Sequence, residues 1–201
     1  VMSIAPYEMD PKDPRAPSEE QWEAMSEAER ERVVEMLPSE LPRRTAPEGD
    51  RHRIPKQKAT EALGEFFRRM GRRVYLSAEL PVYYPNEPWF APDLLAVLDV
   101  EPTYRDKWVV STEGKGLDFV VEITVSGNRR KDLERNVTLY AKLGIPEYFI
   151  IDLRAHRIVG YRLDELPRYD SFLEWLFEQV HPDERAGLDR AFTDFVAGRR
   201  A

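Results

Sequence analysis

The chain has 201 residues, 42% hydrophobic, 11% aromatic and 33% charged, a composition that suits one globular domain with appended segments and excludes collagen-like, low-complexity and wholly disordered chains. It holds no cysteine, which removes disulfides, thiolate catalysis and cysteine zinc sites. No apolar run approaches the roughly 18 residues of a membrane span, and without a basic-then-apolar start the expected setting is cytoplasmic, with no membrane partner. The formal charge of −7 is uneven: residues 1–50 carry 6 Lys/Arg against 13 Asp/Glu, and the rest is neutral.

In chain order, residues 1–50 form an acidic, proline-rich appendage. Ser18–Gln21 and Ser26–Glu29 match the capping-box pattern, with Trp22, Val33, Val34, Met36 and Leu37 following, so one or two short helices are expected there. From Pro55, which suits the first turn of a helix, Ala59, Ala62, Leu63, Phe66, Phe67 and Met70 make one apolar stripe that Gly71 ends. The stretch 51–73 around it holds 8 basic and 2 acidic residues. Such a face can meet phosphates or simply solvent.

Short β-type runs follow at Arg73–Leu80, Val82–Tyr84, Asp93–Leu98, Lys107–Ser111 and Leu117–Val125. A second helix is expected from Arg129 to Leu143, stopped by Gly144 and Pro146, then strands Glu147–Asp152 and Arg157–Leu163. Helices near Ser171–Val180 and Pro182–Val196 complete the chain. The order is that of a mixed α/β sheet rather than strict βαβ winding. The expected organisation is an appendage at 1–50, a core at 51–166 and a helical extension at 167–201.

Two carboxylates stand out. In LDFVVEITV (117–125), alternation puts Asp118, Val120, Glu122 and Thr124 on one face. A glutamate inside an apolar strand needs a cation, a metal or hydrogen-bond donors, because burying a bare carboxylate costs several kcal/mol. Asp93, between Pro92 and the apolar run Leu94–Leu98, poses the same problem. The pair could converge on one divalent ion, and all-oxygen ligation favours Mg²⁺ or Mn²⁺ over zinc. Alternatively, Asp93 caps a turn and Glu122 pairs with an arginine. On the second helix, Asp132 and Asn136 form an i, i+4 pair bordering the apolar stripe Leu133, Val137, Tyr140 and Ala141. A helix returning beside strand 117–125 could hold that edge over Glu122 and Thr124.

The stretches APDLLAVLDV (91–100), FVVEITVSGN (119–128), KDLERNVTLYAKLGIPEYFIID (131–152) and IVGYRL (158–163) resemble the Uma-two family of restriction endonucleases, within the PD-(D/E)xK nuclease superfamily. The resemblance implies a restriction-endonuclease-like α/β core: a mixed sheet flanked by helices. It also implies metal-dependent cleavage of DNA, with Asp93 and Glu122 as the motif carboxylates that bind Mg²⁺. Thr124 stands where the motif lysine is expected. Many relatives carry instead a helix aspartate followed four residues later by lysine; here these positions are Asp132 and Asn136, so both lysine positions are vacant. Asn136 can orient a water or phosphate but supplies no charge. Arg129 is the best cationic substitute, with Lys115 next.

Other residues carry less. Glu61 and Glu65 fit a salt-laced solvent face; Glu79 could add an outer contact from a strand; Tyr140 and Tyr148 read as core aromatics whose hydroxyls reach a polar edge. His52, a lone histidine, is expected at the surface. The alternative to a nuclease is an inactive nuclease-fold protein that binds nucleic acid or another protein, in which a homodimer is an option and the acidic arm masks the basic helix.

Overall fold

The structure is a computed structural model that describes residues 5–40, 49–124, 130–153 and 157–162, with the backbone alone considered at 130–133, 157–159 and 162. The expected helices at 171–180 and 182–196 lie outside the described residues. In chain order the elements are α1 (Glu19–Ala24), α2 (Glu27–Met36), α3 (Asp50–Arg69), β1 (Val74–Ser77), β2 (Val82–Tyr83), β3 (Leu94–Leu98), β4 (Trp108–Val109), α4 (Val110–Glu113), β5 (Phe119–Thr124), α5 (Arg130–Lys142), β6 (Glu147–Asp152) and β7 (Arg157–Arg162). They belong to two compact units: Val1–Ala46 with Glu79–Pro92 and Thr103–Gly116, and Pro47–Ala78 with Asp93–Pro102 and the chain from Leu117 onward.

The second unit is the mixed α/β core. Its five-stranded sheet has the order β1-β3-β5-β6-β7, with β5 and β6 parallel and every other neighbour antiparallel. The central strands LLAVL, FVVEIT and EYFIID are rich in β-branched and aromatic residues, which fit a pleated surface buried on both faces. One face packs on α3 through Ala59, Leu63, Phe67, Leu94, Ala96, Phe119, Val121, Ile123, Phe149 and Ile151. The other is buried at Leu95, Val97, Val120, Tyr148 and Ile150.

Two glycines set where the helices stop. Gly71 and Gly144 both adopt positive φ (65° and 67°). Beyond each, paired backbone bonds close a Schellman motif: Arg72 N–H to Phe67 O with Gly71 N–H to Arg68 O, and Ile145 N–H to Tyr140 O with Gly144 N–H to Ala141 O. The second motif fixes Tyr140 in the last turn of α5, and Ile145, beyond it, is buried. At its other end α3 departs from expectation. It begins at Asp50 behind Gly49, so Pro55 lies inside the helix, removing one intrahelical bond near the start, where few are lost.

In the first unit β2 and β4 pair in parallel, and Ala16, Val33, Leu37, Tyr83 and Val109 form a small core with Trp22, Met25 and Trp89 against it. The Ser18–Gln21 capping box is present, and the Glu29 carboxylate accepts from Ser26 N–H at 2.8 Å. Met36 is exposed, while Leu37 carries the buried contact. Tyr83 donates its hydroxyl to Pro38 O at 2.7 Å, and the Lys107 ammonium bonds Leu37 O. The strand expected over Lys107–Ser111 is two residues long and turns into α4, closed by Gly114. Glu79 lies outside β1, in a turn with φ 52°, and not in a strand.

Candidate functional site

The site lies where β3 begins and β5 ends. Leu94 is opposite Val121 in their antiparallel ladder, so one more step of the register brings Asp93, just outside β3, opposite Glu122, whose side chain alternates away from the Phe119–Val121–Ile123 core. Side chains so opposed start about 4.5–5.5 Å apart at Cβ. The ladder's next amide, Ile123 N–H, donates to Asp93 Oδ2 at 2.8 Å instead of to a strand carbonyl. Asp93 N–H donates to Glu122 Oε2 at 3.3 Å. Of the two arrangements open at the sequence level, the carboxylates converge.

The helix edge also arrives as expected. Asn136 Nδ2 donates to Glu122 Oε1 at 3.4 Å, and Tyr140, one turn on, donates its hydroxyl to the same oxygen at 2.8 Å. Tyr140 packs edge-on against Tyr148, with centroids 4.8 Å apart. Tyr148 in turn stacks on Tyr161 at 5.9 Å. Thr124 is buried in β5, on the Glu122 face by alternation. The backbone of Asp132 lies in α5, but its side chain and all of Arg129 lie outside the described residues. Lys115 belongs to the other unit.

His52 corrects the expectation of a surface histidine. Because α3 starts five residues before Pro55, His52 falls in its first turn, in line with Ala59 and Leu63. Its Nε2 lies 3.1 Å from Asp93 Oδ2 and 2.9 Å from Ile123 O. Both neighbours are acceptors, so Nε2 carries the proton here. The same face holds Lys56, 7% exposed, one turn further along. The available signal was positional: residues 52, 59 and 63 are seven and four apart, the spacing of one helix face.

The electrostatics follow from contact. Burial works against the Asp93 anion, but the His52 and Ile123 hydrogen bonds outweigh it and hold the carboxyl below its usual range. Burial, and next the negative charge of Asp93, push Glu122 up to about 8, against the Tyr140 and Asp93-amide hydrogen bonds that favour its anion. Burial and then the Glu122 charge raise the Tyr140 phenol. Two adjacent carboxyls in a poorly solvated place resist carrying both charges at once. Asp93, Glu122 and the Ile123 carbonyl offer oxygen donors of the kind that hard divalent cations take. Among the described residues, no group of three His, Asp or Glu side chains is already arranged to hold a metal ion. No described helix is long and apolar enough to cross a membrane.

No curated protein matches the chain. Among solved structures it is similar to one described as "a putative nuclease belonging to DUF820", from Anabaena variabilis ATCC 29413, at 14% identity and a TM-score of 0.49, over 63% of this chain and 70% of that one. The Uma2 family model, described as "Putative restriction endonuclease", matches residues 20–189. This chain, with its mixed sheet and converging strand carboxylates, belongs to the Uma2 family.

Proposed function

We propose that the chain is a metal-dependent endonuclease that hydrolyses phosphodiester bonds of DNA, with Asp93 and Glu122 holding Mg²⁺ or Mn²⁺. The observation that carries this reading is the strand register that brings two sheltered carboxyls together, joined by the Asp93 amide's hydrogen bond to Glu122. A bound divalent ion would polarise a phosphate oxygen and lower the pKa of a water. The chain's own groups do the placing. The Ile123 amide anchors Asp93, Tyr140 and Asn136 orient Glu122, and Thr124 offers a hydroxyl where relatives present a lysine.

That last substitution favours a second reading, a nuclease-fold protein that binds metal and nucleic acid with little turnover, because a hydroxyl and an amide cannot supply the cation. Both readings are tested by Mn²⁺ titration together with plasmid nicking by the wild type, Asp93→Ala and Glu122→Gln, in Mg²⁺, Mn²⁺ and EDTA. Nicking that needs the metal and both carboxyls supports the endonuclease. Metal and DNA binding without nicking supports the second reading, and nicking that survives both substitutions or EDTA overturns the site assignment.

A further inference from the structure

The geometry points to His52 as a nitrogen ligand of the divalent cation, completing with Asp93 and the Ile123 carbonyl one face of its coordination sphere. This rests on the cation site proposed above and adds a residue to it. His52 Nε2, Asp93 Oδ2 and Ile123 O form a tight group, the nitrogen 3.1 Å from one oxygen and 2.9 Å from the other. Such separations suit a hydrogen bond. These two separations also match the spacing of neighbouring ligands on an octahedral ion: donors about 2.1 Å from the metal at right angles lie about 3.0 Å from each other. Nε2 can therefore present a proton to both oxygens or, with that proton moved to Nδ1 as the other neutral tautomer, a lone pair to a cation they share.

Three further features agree. The group is sheltered, with His52 and Asp93 side chains 16% and 14% exposed, and it is held by backbone, since Ile123 supplies a carbonyl to the nitrogen and an amide to Asp93. Glu122 Oε2, on the opposed strand, accepts from the Asp93 amide at 3.3 Å. The imidazole comes from α3 and the carboxylates from the sheet, so the cation would tie helix to strands. A nitrogen donor would also favour Mn²⁺ over Mg²⁺, because imidazole suits transition metals better than it suits Mg²⁺.

The rival role is positional: Nε2–H holds Asp93 and never meets the metal. His52→Gln separates them, because a glutamine amide can donate the hydrogen bond but places no coordinating nitrogen. The full chain is loaded with Mn²⁺, and nitrogen coupling to the ion is read by pulsed electron paramagnetic resonance, beside a Mn²⁺ titration and circular dichroism. The wild type and His156→Asn should show ¹⁴N coupling, while His52→Gln and His52→Ala should lose it and bind Mn²⁺ more weakly by more than the roughly 10–100-fold that losing an outer partner costs. Mn²⁺ bound without ¹⁴N coupling in the wild type, or coupling that persists in His52→Gln, overturns the ligand role and leaves the carboxylate site standing. No Mn²⁺ bound at millimolar concentration overturns both. If His52→Ala fails to fold, the wild-type spectrum and His52→Gln still decide.

Discussion

The Tyr140 hydroxyl and the Glu122 carboxylate meet at 2.8 Å, the one held in the last turn of α5 and the other in the middle of β5. Tyr140 is placed there by the turn that ends its helix, so a main-chain motif at Gly144 sets the position of a side chain at the site. The phenol favours the glutamate anion. Tyr140→Phe should therefore raise the Glu122 pKa further, weaken Mn²⁺ binding at pH 7 several-fold, and lower stability by about 1 kcal/mol, the usual worth of one hydrogen bond. Mn²⁺ titration and a thermal melt measure the two effects. Unchanged affinity would remove Tyr140 from the site.

Glu122 also makes the cation-free protein sensitive to alkali. Its folded pKa of about 8 lies above the 4.5 of a free glutamate, so the folded state binds the extra proton. The stability this contributes is fully present below about pH 4.5 and is lost as pH rises through about 8. The depressed Asp93 acts in the opposite sense, at lower pH. Metal must displace the Glu122 proton, so Mn²⁺ affinity should climb toward about tenfold per pH unit below that value. Melts and Mn²⁺ titrations from pH 5 to 9, with and without metal, check this; a flat profile would contradict the raised Glu122 pKa.

Glu122→Gln keeps the shape and removes the charge. The cation-free variant should gain stability over the wild type at pH 8.5–9 and show little difference at pH 5. Metal affinity should fall by more than the roughly 10–100-fold that losing an outer partner costs. Paired melts at the two pH values show whether the buried charge, rather than side-chain volume, is the sensitive quantity.

Asn136 donates to Glu122 from one turn before Tyr140, which is where a lysine would bring positive charge. Asn136→Lys should draw the Glu122 pKa down and raise cleavage by about 10²–10⁴-fold, the range of general acid–base assistance. If Arg129 already supplies the charge, Arg129→Ala abolishes cleavage and Asn136→Lys adds little. Nicking rates of the three proteins choose between these outcomes.

In the other unit Leu37 is 1% exposed and packs in the cluster of Ala16, Val33, Tyr83 and Val109. Leu37→Ala should cost about 2–5 kcal/mol in that unit, whereas Met36→Ala, at an exposed position, should cost little. Denaturant unfolding followed by tryptophan fluorescence compares them, since Trp22 and Trp89 report on this cluster.

What the sequence disclosed depended on how local the cause was. Strand β6 could be read to the residue, because EYFIID is an apolar run bounded by Gly-Ile-Pro on one side and a turn on the other. Asp93 and Glu122 were legible as anomalies, carboxylates in apolar strands, Asn136 as the polar edge of an amphipathic helix, and Tyr140 as a stripe residue whose hydroxyl reaches that edge. His52 was hidden by a punctuation rule. Pro55 suits a first turn, and placing the helix start there cut the histidine off from the stripe it continues. The grouping of 79–92 and 103–116 with the first 46 residues depends on contacts between distant stretches, which no local pattern encodes.

Asp93 and Glu122 are 29 positions apart, and residues 103–116 between them belong to the other unit. Their meeting depends on the ladder register, not on the length of what separates them. Closing a loop becomes only slowly harder as it grows, about 0.6 kcal/mol for each doubling. This interval can thus accept or shed sequence while the two strand ends stay aligned. Length in this interval is therefore a free variable of the fold, and alignment of the two strand ends is not.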